Sequence, residues 1–477
     1  MTRSAPDGDG LFFGMVAAYC VIYIAFYPAS YSISDESCII ALARAISHGT
    51  VFLDSPLWGL TIGDRIISKY SAFHAAMLTP LMLVSWRAMF LLGAAAFLAG
   101  AFIIRAMLRR VGIASGWCFL YFMLAGALFY SQTVLAAVPA AVAGLFGASL
   151  CLRDEPRPFA AGLALGAATL IHPWTGPFAV VFTFVWSAEQ GARRVSSFLS
   201  MLSGALPALI ALMAYNHATT GSAFRDAYTI LGHQYSFGGD HLAGFLPFYF
   251  FSLAIFPIAG WAAFSRRWSG TWAIPAVCAV TIAMASLYYY RDGLNVGSAR
   301  NTFAALLAGF IPGQRFLLPA SMLACLPAAR LLNSRTDLLS RGAGKIAAFA
   351  VFVVSFLLLT IAHQSYLDAH AKVQRTLADK LPADAKVASS GDATKEFAPT
   401  RSVFTGAYEL ETSDALPGDQ YFALLETPGG DPPPDWAANH TVSRIPIRSW
   451  AWNRDLLIGA PTSGGKQQQR SDNHQGH

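Results

Sequence analysis

Apolar runs long enough to cross a lipid bilayer recur along this chain of 477 residues, and no other feature of the sequence restricts its fold as strongly. A bilayer core about 30 Å thick requires roughly 20 mostly apolar residues per helix, and a helix satisfies its own backbone hydrogen bonds there. The apolar pattern predicts membrane helices near residues 11–30, 87–107, 113–131, 134–152, 158–171, 174–188, 196–215, 242–264, 271–289, 316–332 and 346–362. With 55% hydrophobic and 13% charged residues, the sequence predicts an all-α polytopic membrane protein with about eleven transmembrane helices.

Basic residues indicate which side of the membrane each loop faces. The positive-inside rule assigns loops rich in Lys and Arg to the cytoplasm, and such residues fill alternate short loops: Arg105, Arg109, Arg110, Arg153, Arg157, Arg193, Arg194, Arg266, Arg267, Arg335, Arg341 and Lys345. The first loop, 31–86, and the C-terminal region are then external. We predict a multi-pass membrane protein whose first loop and C-terminal region lie outside, in the periplasm or its equivalent. Cations scattered at segment ends indicate the lipid bilayer, and no nucleic acid, as the partner.

One pair of predicted spans has two readings. His172-Pro173-Trp174-Thr175-Gly176 interrupts two short apolar stretches between residues 158 and 188. Two full crossings and a re-entrant hairpin are both compatible with this pattern, and both leave the later loops on the same side.

The first external loop carries two adjacent acids, Asp35 and Glu36, directly after the first span. Residues 38–46 and 73–85 are apolar at helical spacing but short, which is typical of helices that lie in the membrane interface. Polar and aromatic side chains fill the stretch between them: Asp54, Trp58, Asp64, Arg65, Lys69 and Tyr70.

The composition changes after residue 362. An amphipathic stretch near 364–380 precedes candidate strands at 386–388, 402–404, 421–425 and 441–447. We predict a transmembrane domain over 1–362 that includes the first external loop 31–86, a small α/β external domain over 363–459, and a disordered tail over 460–477.

Taken together, these features resemble the GT-C glycosyltransferases, in particular bacterial protein O-mannosyltransferases and lipid A aminoarabinose transferases. The resemblance covers about residues 11–362. It rests on the acidic pair after the first helix, the two interfacial helices, the Lys69-Tyr70 step before a Pro-containing apolar run, Gly313-Gln314-Arg315-Phe316-Leu317-Leu318-Pro319 before a late helix, and the C-terminal soluble domain. It implies transfer of a monosaccharide from a polyprenyl-phosphate donor to an acceptor hydroxyl, with inversion. It also implies a bacterial inner (plasma) membrane location, with loop 31–86 catalytic and with the active site and the C-terminal domain periplasmic or extracellular.

The same resemblance implies that the acid after the first helix is the general base, and Asp35 is our first choice. A carboxylate that takes the proton of an attacking hydroxyl contributes about 10²- to 10⁴-fold to the rate. Glu36 projects about 100° away on a helix, so it is expected to support Asp35, bind the acceptor or contact a divalent ion. A structural alternative stays open, in which Ser34 or Asp35 caps the interfacial helix and Glu36 complements its dipole.

Charge that builds on the departing phosphate requires cations. In order of preference the candidate donor-phosphate ligands are Arg315, Lys69, Arg65, Arg291 and Arg300, and the alternative for each is an anchoring role at the interface. The candidate substrate contacts are Tyr70, His233, Gln234, Asp240 and His241.

No histidine pair has metal-ligand spacing, and the cysteines show none either, so the metal ligands are unknown and no cofactor is assigned. The segment 131–137 also lacks the second acid that many members of the family carry there. A requirement for Mg²⁺ or Mn²⁺ therefore stays open, with five acids as substitutes: Asp54, Asp64, Asp226, Asp240 and Asp292.

Two other classes of protein fit part of the pattern. A secondary transporter or lipid flippase has a similar number of helices but usually places ionisable residues inside its spans, and the spans between 87 and 215 carry few. An O-antigen ligase-like enzyme uses a lipid-linked donor without needing the acidic pair. The acceptor is open among glycan, lipid and protein.

Overall fold

A computed structural model describes residues 9–28, 34–54, 59–230, 262–287, 314–336, 338–339, 341–382, 386–389, 409–412, 420–426, 428–432, 434–448 and 453–462. Within these ranges the α-helices are α1 Asp9–Ala25, α2 Ser34–Ser47, α3 Ala72–Val84, α4 Phe90–Arg110, α5 Phe119–Phe122, α6 Ala125–Tyr130, α7 Ala137–Cys151, α8 Pro158–Ile171, α9 Gly176–Ala188, α10 Arg194–Thr220, α11 Ala227–Ile230, α12 Arg266–Ser269, α13 Ala273–Leu287, α14 Leu318–Arg335, α15 Gly342–Lys380 and α16 Pro434–Ala437. The strands are β1 Leu60–Ile62, β2 Arg65–Ile67, β3 Lys386–Ser389, β4 Glu409–Thr412, β5 Tyr421–Glu426, β6 His440–Arg448 and β7 Asn453–Pro461.

The predicted helical class is confirmed, whereas the count of about eleven spans is not. Of the described helical segments, three are long and apolar enough to cross a membrane, namely Trp86–Arg110, Gly191–Thr220 and Gly342–Leu377. Five shorter apolar helices, α1, α3, α7, α8 and α13, accompany them. The predicted span at 242–264 lies largely outside the described residues.

Residues 113–131 do not form the single helix that their hydrophobicity predicts. A 3₁₀ turn, Ser115–Cys118, leads into the short helices α5 and α6, and the extended backbone of Leu124 separates these two. Tertiary contacts fix this shape: the Tyr121 hydroxyl donates to the Phe97 carbonyl at 2.8 Å, and the Trp117 indole donates to Asn333 at 3.1 Å. Hydrogen bonds to distant elements therefore determine the backbone here more than local periodicity does.

The other large difference is α15. The predicted span at 346–362 and the predicted amphipathic stretch at 364–380 form one continuous helix of 39 residues, because neither Gly nor Pro interrupts residues 345–380. A change from apolar to polar composition marks where a helix changes environment, not where it ends.

Helices α8 and α10 approach each other closely through glycine. A Cβ atom on Gly162 would lie 1.9 Å from the Met201 carbonyl oxygen, and one on Gly204 would lie 2.1 Å from the Phe159 carbonyl oxygen. Small residues at such contacts allow helix backbones to pack without intervening side chains.

We therefore expect Gly162→Ala to destabilise the protein by about 2–3 kcal/mol, because the two backbones must separate to admit a methyl group. The measurement is thermal unfolding of the purified protein in detergent. Gly10→Ala is the matched control, since a Cβ at Gly10 in α1 would meet no atom within 4 Å. Equal melting temperatures for the two variants would contradict the close contact.

The chain divides into two compact units, one formed by Met1–Tyr27 with Leu42–Thr360 and the other by Pro28–Ala41 with Ile361–His477. The second unit contains a mixed five-stranded sheet in the order β4-β3-β5-β7-β6. Strand β3 is parallel to β4 and β5, whereas β7 is antiparallel to β5 and β6. A small core forms on it, from Ala388, Phe422, Leu424, Trp436 and Leu457.

The predicted strands at 386–388, 421–425 and 441–447 are confirmed. The one at 402–404 lies outside the described residues, and β4 and β7 were not predicted.

A buried carboxylate joins the last two strands of this sheet. Asp455 on β7 accepts hydrogen bonds from the Gly429 amide at 2.9 Å, Arg444 at 3.0 Å and Arg448 at 2.6 Å. The Gly429 amide and then the two guanidinium groups lower the pKa of Asp455 from its ordinary 3.8 to about 2.

A carboxyl group whose pKa is lower in the folded protein stabilises it above the unfolded pKa, and this stability is lost as the pH falls through the folded pKa. We expect the contribution of Asp455 to be complete above about pH 4 and to disappear toward about pH 2. Asp455→Asn should lower the stability at pH 7 by about 1–3 kcal/mol and flatten the pH dependence in that window.

Melting temperatures of the full chain between pH 2 and 7, wild type minus variant, measure this effect. Asp431→Asn is the control, because the Asp431 side chain is 86% exposed and forms an ion pair with Arg444 at 2.8 Å. A difference between wild type and Asp455→Asn that does not change with pH would contradict the assignment.

Candidate active site

The acidic pair lies in the first turn of α2, within the second unit. The helix begins at Ser34, slightly before the predicted 38–46, so Asp35 and Glu36 both occupy its positive end, where carboxylates are favoured. Their environments differ: Glu36 and Ser37 are fully buried, whereas Asp35 is half-buried. Both acids interact with other groups of the protein. Of the two carboxylates, Asp35 is the one that a molecule outside the protein can reach.

The candidate cations belong to the first unit. Between α2 and α3 the chain forms the antiparallel hairpin β1–β2, in which Leu60 pairs with Ile67 and Ile62 with Arg65. Arg65 is exposed beside this turn, and its guanidinium carbon lies 4.8 Å from the centroid of the Phe52 ring. The Lys69 ammonium lies 5.1 Å from the Tyr70 ring centroid, a cation–π distance.

Ser71 directly follows Lys69 and Tyr70 and holds this segment in place. Its hydroxyl oxygen caps α3 by accepting from the amides of Phe73 at 3.2 Å and His74 at 3.5 Å. The same hydroxyl donates to the Leu170 carbonyl in the last turn of α8. The step before α3 is therefore attached to the end of α8, which lies 99 residues later.

The interruption after α8 is an ordered turn. Pro173–Thr175 forms a 3₁₀ turn, the Trp174 amide donates to His172 Nδ1 at 3.3 Å, and the Thr175 hydroxyl donates to the His172 carbonyl at 2.8 Å. The predicted break between α8 and α9 is confirmed, and Trp174 is held within it.

Trp174 connects this turn to the segment that precedes α14. Its indole nitrogen donates to the Phe316 carbonyl at 3.3 Å, and the two ring centroids lie 4.7 Å apart. The guanidinium of Arg315 lies 4.9 Å from the Phe316 ring centroid. The end of α8 contacts Ser71, and the turn that follows it contacts Phe316. The first two candidate phosphate ligands, Arg315 and Lys69, therefore lie on linked segments of the first unit.

His74 supports the same region and is a residue that the sequence analysis did not select. It is fully buried on α3, with Nε2 lying 2.7 Å from the Val134 carbonyl. Burial lowers the pKa of His74 to about 4, so the ring is neutral at pH 7. The neutral ring donates from Nε2 and thereby attaches α3 to the turn at residues 131–134. A single buried His gives no sequence signal for this role.

Several candidates lie outside the described residues, namely Arg291, Arg300, His233, Gln234, Asp240 and His241. Of the acids considered as substitutes, Asp54 and Asp64 are exposed, and Asp226 is half-buried. Within the described ranges no group of three His, Cys, Asp or Glu side chains is arranged to hold a metal ion. All six cysteines are described, and all have free thiols.

No protein-family model matches this chain, and no curated protein sequence matches it. Its structure is similar to two crystal structures of ArnT from Cupriavidus metallidurans, one in the apo state and one bound to undecaprenyl phosphate. Both are 15% identical in sequence, with 94% of this chain and 98% of that chain covered, and the TM-scores are 0.55 and 0.54. ArnT is a lipid A aminoarabinose transferase of the GT-C class. The fold inferred from the motifs is therefore confirmed over nearly the whole chain.

Proposed function

We propose that this chain, which has the fold of the lipid A aminoarabinose transferase ArnT, is a membrane glycosyltransferase that moves a monosaccharide from a polyprenyl-phosphate donor to an acceptor hydroxyl. The observation that carries the proposal is the likeness to ArnT over 94% of this chain, together with the undecaprenyl phosphate bound in one of those structures. At 15% identity this likeness supports a fold, and the chemistry depends on the side chains of this chain.

The donor end of the reaction is assigned to the cations of the first unit. When the bond between the anomeric carbon and the phosphate oxygen breaks, negative charge develops on the lipid phosphate, and fixed cations nearby lower the barrier. Arg315 is the principal candidate, because a guanidinium can hold a phosphate through two parallel hydrogen bonds. Lys69 is the second, since Ser71 attaches its segment to the end of α8, just before the turn in which Trp174 contacts Phe316. Arg65, Arg291 and Arg300 are the next candidates for the donor phosphate. Tyr70, which follows Lys69 directly, is a candidate substrate contact.

The acceptor end is assigned to Asp35. The acceptor oxygen forms a bond to the anomeric carbon, the bond from that carbon to the phosphate oxygen breaks, and the hydroxyl proton moves to the Asp35 carboxylate. A single displacement of this kind inverts the anomeric configuration. The choice of Asp35 over Glu36 is supported by burial, because a general base must come within hydrogen-bond reach of the acceptor, and Glu36 has no exposed surface.

The remaining assignments belong to the same proposal. The active site and the C-terminal domain face the periplasm of a bacterial inner membrane, and the lipid-linked sugar is the donor substrate. His233, Gln234, Asp240 and His241 contact the substrates. The acceptor is a glycan, lipid or protein hydroxyl, and no step of the mechanism is assigned to Mg²⁺ or Mn²⁺.

The test uses the purified chain in proteoliposomes with undecaprenyl-phosphate monosaccharides that carry a labelled sugar, and with cell-envelope lipids, glycans and proteins as acceptors. Release of undecaprenyl phosphate together with label on an acceptor is expected. Labelled donor that crosses the bilayer intact would indicate a flippase. Turnover of diphosphate-linked oligosaccharides alone would indicate an O-antigen ligase-like enzyme, and either result would overturn the proposal.

A further inference from the structure

Gln314 is a buried amide with an unused hydrogen-bond donor. The residue is 6% exposed, and its side-chain nitrogen has no hydrogen-bond partner among the described residues. Burying an amide donor without a partner is unfavourable, and such groups in folded proteins call for an explanation. A ligand that supplies the acceptor would provide one.

The protein makes room for this side chain. A Cβ atom on Gly126 in α6 would lie 2.6 Å from the Gln314 amide oxygen and 2.8 Å from its Cβ, which shows how closely Gln314 packs on the bare glycine backbone. The Gln314 carbonyl also accepts from the Leu317 amide at 2.9 Å in the turn before α14. The backbone and one face of the side chain are thus fixed, while the amide nitrogen is not used.

Gln314 also lies next to the principal candidate for the donor phosphate. Arg315 follows it directly, and Phe316 is held by the Trp174 indole at 3.3 Å. A neutral N–H donor beside a guanidinium and an aromatic pair is a combination suited to a polar head that carries both charged and neutral oxygens.

We propose that Gln314 is a donor-binding residue whose amide nitrogen donates a hydrogen bond to an oxygen in the polar head of the polyprenyl-phosphate sugar. This inference rests on the proposed function. The ligand chemistry is an oxygen acceptor, which the lipid phosphate and a sugar hydroxyl both offer.

The test compares the wild-type full chain with Gln314→Leu, which keeps the approximate volume and removes the amide. Affinity for undecaprenyl phosphate and for an undecaprenyl-phosphate monosaccharide is measured by microscale thermophoresis, and ligand-free stability by thermal unfolding. We expect an affinity loss of about 10-fold or more, with a melting temperature equal to or above that of the wild type, because the unpartnered buried donor is gone.

Gln132→Leu is the matched control. Gln132 is equally buried in the first unit, but its amide nitrogen donates to the Leu128 carbonyl at 3.3 Å. Its loss should lower the melting temperature and leave both affinities unchanged. A lower melting temperature with unchanged affinities for Gln314→Leu would make Gln314 a structural residue and overturn the inference.

Gln314→Glu is the second variant, since it keeps the shape and replaces the donor by an anion. It should weaken binding of both ligands at least as much as Gln314→Leu does. Failure of both Gln314 variants to fold would overturn the inference, because it would assign the amide a structural role.

The two ligands separate the sources of the oxygen. Equal losses for both ligands assign the bond to the phosphate, and a loss confined to the sugar-bearing ligand assigns it to the sugar. If the wild type binds neither ligand, the proposed function fails; if the wild type binds and Gln314→Leu binds equally well, this inference alone fails.

Discussion

Asp35→Asn is expected to reduce glycosyl transfer by about 10²- to 10⁴-fold, the range that a general base contributes. Asparagine has nearly the same shape as aspartate but cannot accept the proton of the acceptor hydroxyl. Because the proton moves in the chemical step, the loss should appear in kcat, with little change in the affinity for the donor. Single-turnover assays with labelled donor, together with donor binding, measure the two quantities separately.

The control for this variant is Asp154→Asn. Asp154 is an exposed acid in the short loop between α7 and α8, so this change removes the same charge without affecting transfer. Normal melting of Asp35→Asn would exclude misfolding as the cause of a loss. Wild-type turnover in a folded Asp35→Asn protein would remove Asp35 from the mechanism and leave the alternative in which the acidic pair complements the dipole of α2.

Arg315→Ala is expected to lower kcat/KM by about 10²- to 10³-fold, comparable to the loss of one fixed donor at a site of developing charge. The guanidinium is proposed to hold the lipid phosphate both before and after the bond breaks, so the affinity for undecaprenyl phosphate should fall as well. Arg315→Lys should recover part of the activity, because lysine keeps the charge but lacks the planar pair of donors.

Arg335→Ala at the opposite end of α14 is the matched control. Arg335 is exposed in the last turn of α14, whereas Arg315 lies just before that helix, so a general effect of lost charge near α14 would appear in this variant too. If Arg315→Ala and Arg335→Ala bound undecaprenyl phosphate equally well, Lys69 would become the first candidate for the donor phosphate.

Local patterns predicted those elements whose boundaries are set by the residues within them. Helix α8 spans residues 158–171 as predicted, because Pro158 opens it and the His172-Pro173 step ends it. Strand β5 follows its apolar run at 421–426. The hairpin β1–β2 was missed although a signal was present: the two-residue turn Gly63-Asp64, with Gly63 at φ 61°, separates two short β-branched segments.

Other elements could not be read from local pattern. The break in 113–131 depends on hydrogen bonds from Tyr121 and Trp117 to other helices. Strand β7 was missed because its sequence is recognisable as a strand only when paired with β5 and β6, which it separates in the sheet. The unpartnered amide of Gln314 is a property of packing, and no spacing in the sequence reports it.

Hydrophobicity, charge and Pro or Gly act locally, so the amino-acid order is enough to identify a helical membrane protein, two acids after its first helix and a turn between α8 and α9. The burial of Glu36 beside a partly exposed Asp35 depends instead on how the chain packs. The same holds for the Ser71–Leu170 and Trp174–Phe316 contacts, which join residues 99 and 142 positions apart. Contacts at such separations depend on how whole helices pack, and the order of residues within one helix does not record its neighbours.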